Sequence, residues 1–326
     1  MMTTEHNRTS DICVLGGTGF IGRHLLESLG ARDGIQVKVL SRFKHENSHC
    51  RVCIHYDEGD IRNYDSMVQF LEPLSTAVNL AYLNIESSDD NIRATEYLAK
   101  ACIERGVVRL IHLSTAVVVG NAKDNVITEE TPCKPVSIYE KTKLRIEDML
   151  VEILMGKCEV VILRPTAVFG PYGKNGLKLI DELISGAPLV HLIKASLYSR
   201  RRLNLVSVKN VVDSIMFFID FVGDISGERF IISDDDAEEN NYHDVSRLLS
   251  SYIGLKQVGM VDIPFQSFFL PVLLRLRKRT NTNPNRIYSG HKLERIGFVK
   301  RNAFHDEIRR FALWYQEHQK TETCIC

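Results

Sequence analysis

The sequence predicts an α/β fold, a doubly wound parallel sheet covered by helices with a smaller C-terminal lobe. Short β-branched, apolar runs alternate with segments of helical spacing through the first half, the pattern of strands joined by crossover helices. A glycine-rich run, Gly16 to Gly22, lies between the first strand-like run and the first helical one. Beyond Pro165 the rhythm loosens into glycine, proline and polar turns, as a separate lobe would require.

Asp11 to Leu15 reads as the first strand and Phe20 to Leu29 as the first helix. Gln36 to Leu40 and Val52 to Tyr56 are the next strands, Tyr64 to Leu71 a helix, and Ala77 to Ala81 a strand. Asn91 to Arg105 is a helix closed by Gly106, with a cation in the last turn where the macrodipole favours it. Val107 to Leu113 is apolar enough for the sheet centre. Ser137 to Met155 is a long helix, followed by a strand from Glu159 to Leu163 that Arg164-Pro165 terminates. Gly170, Pro171, Gly173 and Gly176 mark a loop, and Leu177 to Ile184 a short helix. Leu203 to Val208 and Val211 to Phe221 read as one more strand and helix, and Phe304 to His318 as a closing amphipathic helix. The acidic run Asp234 to Glu239 reads as a solvated loop. The expected organisation is a disordered lead-in over 1–10, a first domain over 11–165, and a lobe over 166–320. Residues 203–222 return to the first domain, and 321–326 form a tail.

A chain of 326 residues is long enough for such a pair of domains. Lys plus Arg and Asp plus Glu balance at 41 each, so no global field favours nucleic acid or an acidic membrane. No run approaches the roughly 18 apolar residues of a membrane span. The best stretch, Phe265 to Leu276, is short and meets Arg275, Arg277, Lys278 and Arg279, and is read as a lobe helix with a solvated end. Among eight cysteines, Cys13, Cys53 and Cys102 sit in apolar runs as small core residues. Cys50 and Cys53 have CxxC spacing but no second pair, so no metal site is expected. Cys324 and Cys326 miss the prenylation pattern. The expected location is the reducing cytoplasm, and the expected partner a small molecule.

Gly16-Gly17-Thr18-Gly19-Phe20-Ile21-Gly22 has the context that a phosphate cradle needs. Glycines permit a tight turn and close approach to a pyrophosphate, and the helix N-terminus offers unpaired N–H donors to that anion. Gly16, Gly19, Phe20, Ile21 and Gly22 are the candidate contacts of a Rossmann-type dinucleotide site. After the second strand the chain reads Leu40-Ser41-Arg42, with no acid to bind the ribose hydroxyls of NAD. Arg42 and Ser41 suit the 2′-phosphate of NADP, so NADP is expected, with NAD the alternative. Downstream, Asp60 can accept from the adenine amino group while Ile61 packs on the ring.

Tyr139 and Lys143 stand four apart, on one face of the long helix. A nearby ammonium stabilises phenolate, so Lys143 is expected to bring the Tyr139 pKa down for acid/base work. Thr115, with Ser114 as its rival, lies at the carboxyl end of the central strand, where open α/β sheets bind ligands. A hydroxyl there can position the reacting oxygen for Tyr139.

Together these residues resemble the extended short-chain dehydrogenase/reductase, or NAD-dependent epimerase/dehydratase, family. Matching positions are the cradle, Asp60-Ile61, Asn79-Leu80-Ala81, Asn91 with Thr95, Ser114-Thr115, Tyr139 with Lys143, and Arg164-Pro165 leading to Val168-Phe169-Gly170-Pro171. The resemblance implies a Rossmann domain with a substrate-binding lobe, often for a nucleotide sugar, and a homodimer built on long helices. It implies a catalytic set of Thr115, Tyr139 and Lys143, with Leu80, Ala81, Lys143, Pro165 and Val168 at the dinucleotide. It places Asn91, Thr115, Asn175 and Arg202 at the substrate.

Departures narrow the activity. Thr115 is followed by Ala116 and Val117, where family 4,6-dehydratases carry an acid and a base, so dehydration is not expected. Val208-Lys209-Asn210 has Asn in place of Asp, with Leu203 at an arginine position that Arg202 or Arg201 would have to fill. Val119 replaces a common tyrosine. The expected function is hydride transfer at a secondary alcohol or ketone carbon, as a nucleotide-sugar 4-epimerase or 4-reductase. The alternative is an NADPH-dependent reductase of a non-nucleotide carbonyl compound, resembling hydroxysteroid or flavonoid enzymes. A non-catalytic dinucleotide sensor is the third reading, and the presence of both Tyr139 and Lys143 counts against it.

Overall fold

A computed structural model describes residues 11–43, 54–83, 88–185, 200–255 and 283–323. Cys50, Cys53, the 265–276 stretch and the terminal cysteines lie outside these residues. The chain forms β1 (Asp11–Leu15), α1 (Phe20–Gly30), β2 (Gln36–Ser41), β3 (Ile54–Glu58), α2 (Tyr64–Phe70), β4 (Thr76–Asn79), α3 (Ser88–Arg105) and β5 (Arg109–Leu113). A 3-10 turn (Ala116–Val119) and β6 (Val126–Ile127) precede α4 (Ile138–Leu154), β7 (Glu159–Pro165), β8 (Ala167–Phe169) and α5 (Lys174–Ser185). Then follow β9 (Leu205–Ser207), α6 (Val208–Asp220), β10 (Glu228–Ile232), α7 (Tyr242–Tyr252), β11 (Ile287–Tyr288), α8 (His291–Arg295) and α9 (Phe304–Thr323).

A seven-stranded sheet runs in the order β10-β7-β5-β4-β1-β2-β3. Adjacent strands from β3 through β1 to β7 pair in parallel. The chain winds outward from β1 to β3, then returns to β4 and continues the other way, so the order reverses between β1 and β4. In open α/β sheets, ligands bind at the carboxyl ends of the strands beside such a switch point. The Gly16 turn leaves β1 and the Leu80-Ala81 segment leaves β4, so both motifs flank that point.

The contacts divide the chain into two units: 1–115, 138–164 and 212–230 form the first, and 116–137, 165–211 and 231–326 the second. Residues 116–137 therefore cluster with the C-terminal unit rather than with the domain in which the sequence pattern put them. In the first unit, one face of the sheet packs Cys13, Leu15, Ala77, Leu110, Val160 and Ile162 against α2, α3 and α4. Removing this apolar surface from water is what holds helices and sheet together. Cys13 and Cys102 are fully buried there, as core residues.

The second unit carries two small parallel ladders, β8 with β9 and β6 with β11. Its main core collects Phe169, Ile180, Val245, Leu249, Ile308 and Phe311. The acidic run is not a solvated loop throughout: Asp234 and Asp235 are 1% and 4% exposed. Donors that carboxylates demand surround them. Asn210 Nδ2 and the Ser207 amide bond Asp234 at 2.8 and 2.9 Å. Asn204 Nδ2 and the Tyr288 amide bond Asp235 at 2.7 and 2.8 Å. A composition-based reading fails where long-range partners meet the cost of burying charge. Among the described residues no helix is long and apolar enough to cross a membrane.

Candidate active site

The phosphate cradle begins where β1 ends. Gly16 has φ +82°, and a Cβ there would fall 2.7 Å from the Ala81 amide nitrogen. A Cβ on Gly22 would collide with the Gly16 and Gly17 carbonyls, so α1 starts tight against the turn. Gly19 caps α1 without a side-chain hydrogen bond, and the first turn holds no acidic residue. The leading amides, those of Phe20, Ile21 and Gly22, therefore face no anion from their own helix. Glycines forced by backbone contact, ahead of an uncapped helix at the switch point, fit the pyrophosphate of a dinucleotide.

Around the adenosine end, Ser41 is buried and its Oγ accepts the Phe43 amide at 3.3 Å. Arg42 is exposed, its guanidinium 5.8 Å from the Phe43 ring. Asp60 is bound by Arg62 through both carboxylate oxygens, closest at 2.5 Å, and this contact holds its pKa below the usual carboxylate value. Ile61 packs on the first unit's core.

The end of β5 and one face of α4 are joined residue by residue. The Leu113 carbonyl accepts Lys143 Nζ at 3.1 Å, Ser114 Oγ donates to Glu147 Oε1 at 2.5 Å, and Thr115 hydrogen-bonds Tyr139. Residues 139, 143 and 147 recur at one-turn spacing, so the partners of three successive strand-end residues lie on one helical stripe. Between the two hydroxyls left open by the sequence, Thr115 meets the phenol, and Ser114 is committed to Glu147. Glu147 is fully buried and also receives Arg164 at 2.6 Å and Arg229 at 3.3 Å.

Burial pushes the Tyr139 phenol up to about 12, with Tyr82 acting in the same direction and the Thr115 bond opposing. This corrects the expectation that Lys143 draws it down. The Lys143 ammonium instead bonds the Leu113 carbonyl and sits 4.3 Å over the Tyr82 ring, and burial pulls it down to about 8. His112, also buried, faces Asn79 Nδ2 at 3.1 Å, and burial drives its pKa well down, so it is neutral.

Leu80 and Ala81 follow β4, with the Leu80 amide on the Leu15 carbonyl and the Ala81 amide on Asn79 Oδ1. Asn91 is buried and accepts the Leu83 amide at 2.8 Å, anchoring the segment after β4. The remaining sites belong to the second unit. Pro165 and Val168 flank the start of β8, exposed Asn175 donates to the Val168 carbonyl at 3.2 Å, and Arg202 donates to the Ala237 carbonyl at 2.7 Å. Sequence reasoning missed Glu147 and Tyr82. Helical spacing from Lys143 would have found the first; nothing marks the second.

A dinucleotide cradle at a sheet switch point, beside a tyrosine and lysine on one helical stripe, defines a nucleotide-dependent oxidoreductase architecture. The chain belongs to the NAD dependent epimerase/dehydratase family, whose model matches residues 12–232. It is similar to UDP-glucose 4-epimerase of Vibrio cholerae, 29% identical over 270 residues, covering 76% of this chain and 75% of that one. It also resembles the decarboxylating sterol-4-alpha-carboxylate 3-dehydrogenase of Mus musculus, 28% identical over 197 residues, covering 57% of this chain and about half, 52%, of that one. In fold it matches dTDP-glucose 4,6-dehydratase from Bacillus anthracis in complex with NAD, at TM-score 0.73 and 18% identity, covering 96% and 98% of the two chains.

Proposed function

We propose that this protein binds NADP(H), with NAD(H) the alternative, and interconverts a secondary alcohol and a ketone on a nucleotide sugar, as a 4-epimerase or 4-reductase. The observation that carries the reading is the paired end of β5 and face of α4, which brings Thr115 to Tyr139 and anchors Lys143. When bound, the dinucleotide supplies or removes the hydride. Tyr139, protonated at neutral pH because burial raises it, gives its proton to the oxygen of the carbon being reduced. Thr115 holds that oxygen, and Lys143, anchored on the Leu113 carbonyl, carries its positive charge one helical turn along α4 from Tyr139. The side chains after Thr115 are Ala116 and Val117, which move no protons; this supports redox or epimerisation without loss of water. Exposed Arg42 at the end of β2 supports NADP.

A second reading, reduction of a non-nucleotide carbonyl compound, draws on one observation. Arg202, the cation expected at a diphosphate, already donates to the Ala237 carbonyl, and Leu203 stands in the arginine position. Release and identification of the dinucleotide from purified protein tests the first step. Thermal stabilisation by UDP-, GDP- or dTDP-sugars against consumption of NADPH with apolar ketones separates the two substrates. Tyr139→Phe should lower turnover at least about a hundredfold with dinucleotide affinity kept within about twofold. Wild-type turnover in that variant would remove Tyr139 from the chemistry.

A further inference from the structure

Tyr82 lies outside every motif, yet the structure fixes it from both sides. The amide before it, Ala81, is held by Asn79 Oδ1 at 3.1 Å, and the amide after it, Leu83, by Asn91 Oδ1 at 2.8 Å. Both asparagines are buried. Between these anchors the Tyr82 ring meets Tyr139 edge to face, with centroids 5.5 Å apart at 86°, and carries Lys143 Nζ 4.3 Å above its face. Its hydroxyl oxygen is buried and meets no hydrogen-bond partner among the described residues. A phenylalanine would give the same edge contact and the same face to the ammonium. It would also spare the cost of a buried, unsatisfied hydroxyl. The ring therefore explains the aromatic residue but not the oxygen.

Resting on the function proposed above, we infer that Tyr82 is a binding residue for the nicotinamide nucleoside half of the dinucleotide, its hydroxyl bonding that group while its ring positions Lys143. The position favours the dinucleotide over the substrate. Tyr82 continues directly from Leu80 and Ala81, the residues packed on Gly16 of the cradle. Its face is covered by Lys143, which stands one helical turn from Tyr139 on α4. Tyr82 thus links the phosphate end of the cradle to the acid/base pair.

The test uses the full chain with NADPH, NADH and ADP, the last lacking any nicotinamide ribose. Tyr82→Phe should bind NADPH and NADH about five- to fifteenfold more weakly, the loss of one hydrogen bond, with ADP affinity unchanged. Without nucleotide it should melt at or above the wild-type temperature, because an orphaned hydroxyl has gone; with saturating NADPH it should gain less than wild type. Tyr82→Leu, which also removes the ring, should add a shift in the pH dependence of NADPH affinity toward lower pH, because Lys143 loses a contact that favours its charge. Equal NADPH affinity in Tyr82→Phe and wild type, or an equal loss for ADP, overturns the inference. Failure of the wild type to bind any dinucleotide overturns the function proposed above instead.

Discussion

At the residue scale, Thr115 and Ser114 are neighbours with different partners, Tyr139 and Glu147. Thr115→Val should lower turnover about ten- to a hundredfold, since it removes the hydroxyl beside Tyr139. Ser114→Ala should keep turnover within a few-fold and lower stability by about 1–3 kcal/mol, because Glu147 loses a buried donor. Steady-state kinetics and urea unfolding of the two variants check this, and a reversal of the two effects would reassign the pair. Lys143 makes a pH prediction. Its folded pKa is drawn to about 8 from 10.5, so between those values the unfolded chain binds more protons and stability rises with pH. Tyr139 acts oppositely but later, since its rise from 10.0 to about 12 costs stability only above pH 10. The difference in unfolding free energy between wild type and Lys143→Met should therefore move in favour of the wild type from about pH 7.5 to about pH 9.5, while Cys13 and Cys102, whose thiols are held above their ordinary value, act the other way in both chains. A difference that stays flat across this range would contradict the burial of a charged Lys143.

At the element scale, α4 is fastened to the end of β5 and to β7 by a buried carboxylate. Glu147 is fully buried and Arg164 is 2% exposed, so the pair contributes through mutual compensation rather than net attraction. Glu147→Ala should cost about 3–5 kcal/mol, because Arg164 keeps a buried charge without its counter-ion. Glu147→Leu combined with Arg164→Met should recover most of that loss, as measured by denaturant unfolding. Recovered stability without recovered turnover would show that the ion pair also sets the position of Ser114, between the partners of Lys143 and Tyr139. A double variant as unstable as the single one would mean that Ser114 and Arg229 dominate the carboxylate's surroundings.

At the scale of the whole molecule, the first unit is not continuous in the chain, because 212–230 complete it. Within it, Arg109 pairs with Glu159 at 2.6 Å and donates to the Phe221 carbonyl at 2.9 Å, while Phe218 packs on Phe230 with centroids 4.8 Å apart. A chain ending at residue 165 would expose the surface those rings cover and leave Arg109 half satisfied. It should show no cooperative urea transition and little near-ultraviolet circular dichroism, whereas the full chain shows both. A cooperative transition in the truncated chain would place the folding boundary at Pro165.

Local signals determined much of this. The strands and helices of the first unit other than β10, the glycine-rich turn, and the i, i+4 tyrosine and lysine were legible because each is written in adjacent residues or in one helical period; the edge strand β10 was not read from the sequence. The tertiary structure alone decided what depends on partners far apart in the chain. It gave Thr115 the phenol and Ser114 the Glu147 carboxylate as partners, set the Tyr139 phenol high rather than low, buried Asp234 and Asp235 among donors from β9, α6 and β11, and brought Tyr82 to the ammonium of Lys143. Burial and long-range hydrogen bonds set these outcomes, and both are properties of the packed chain rather than of any short segment of it.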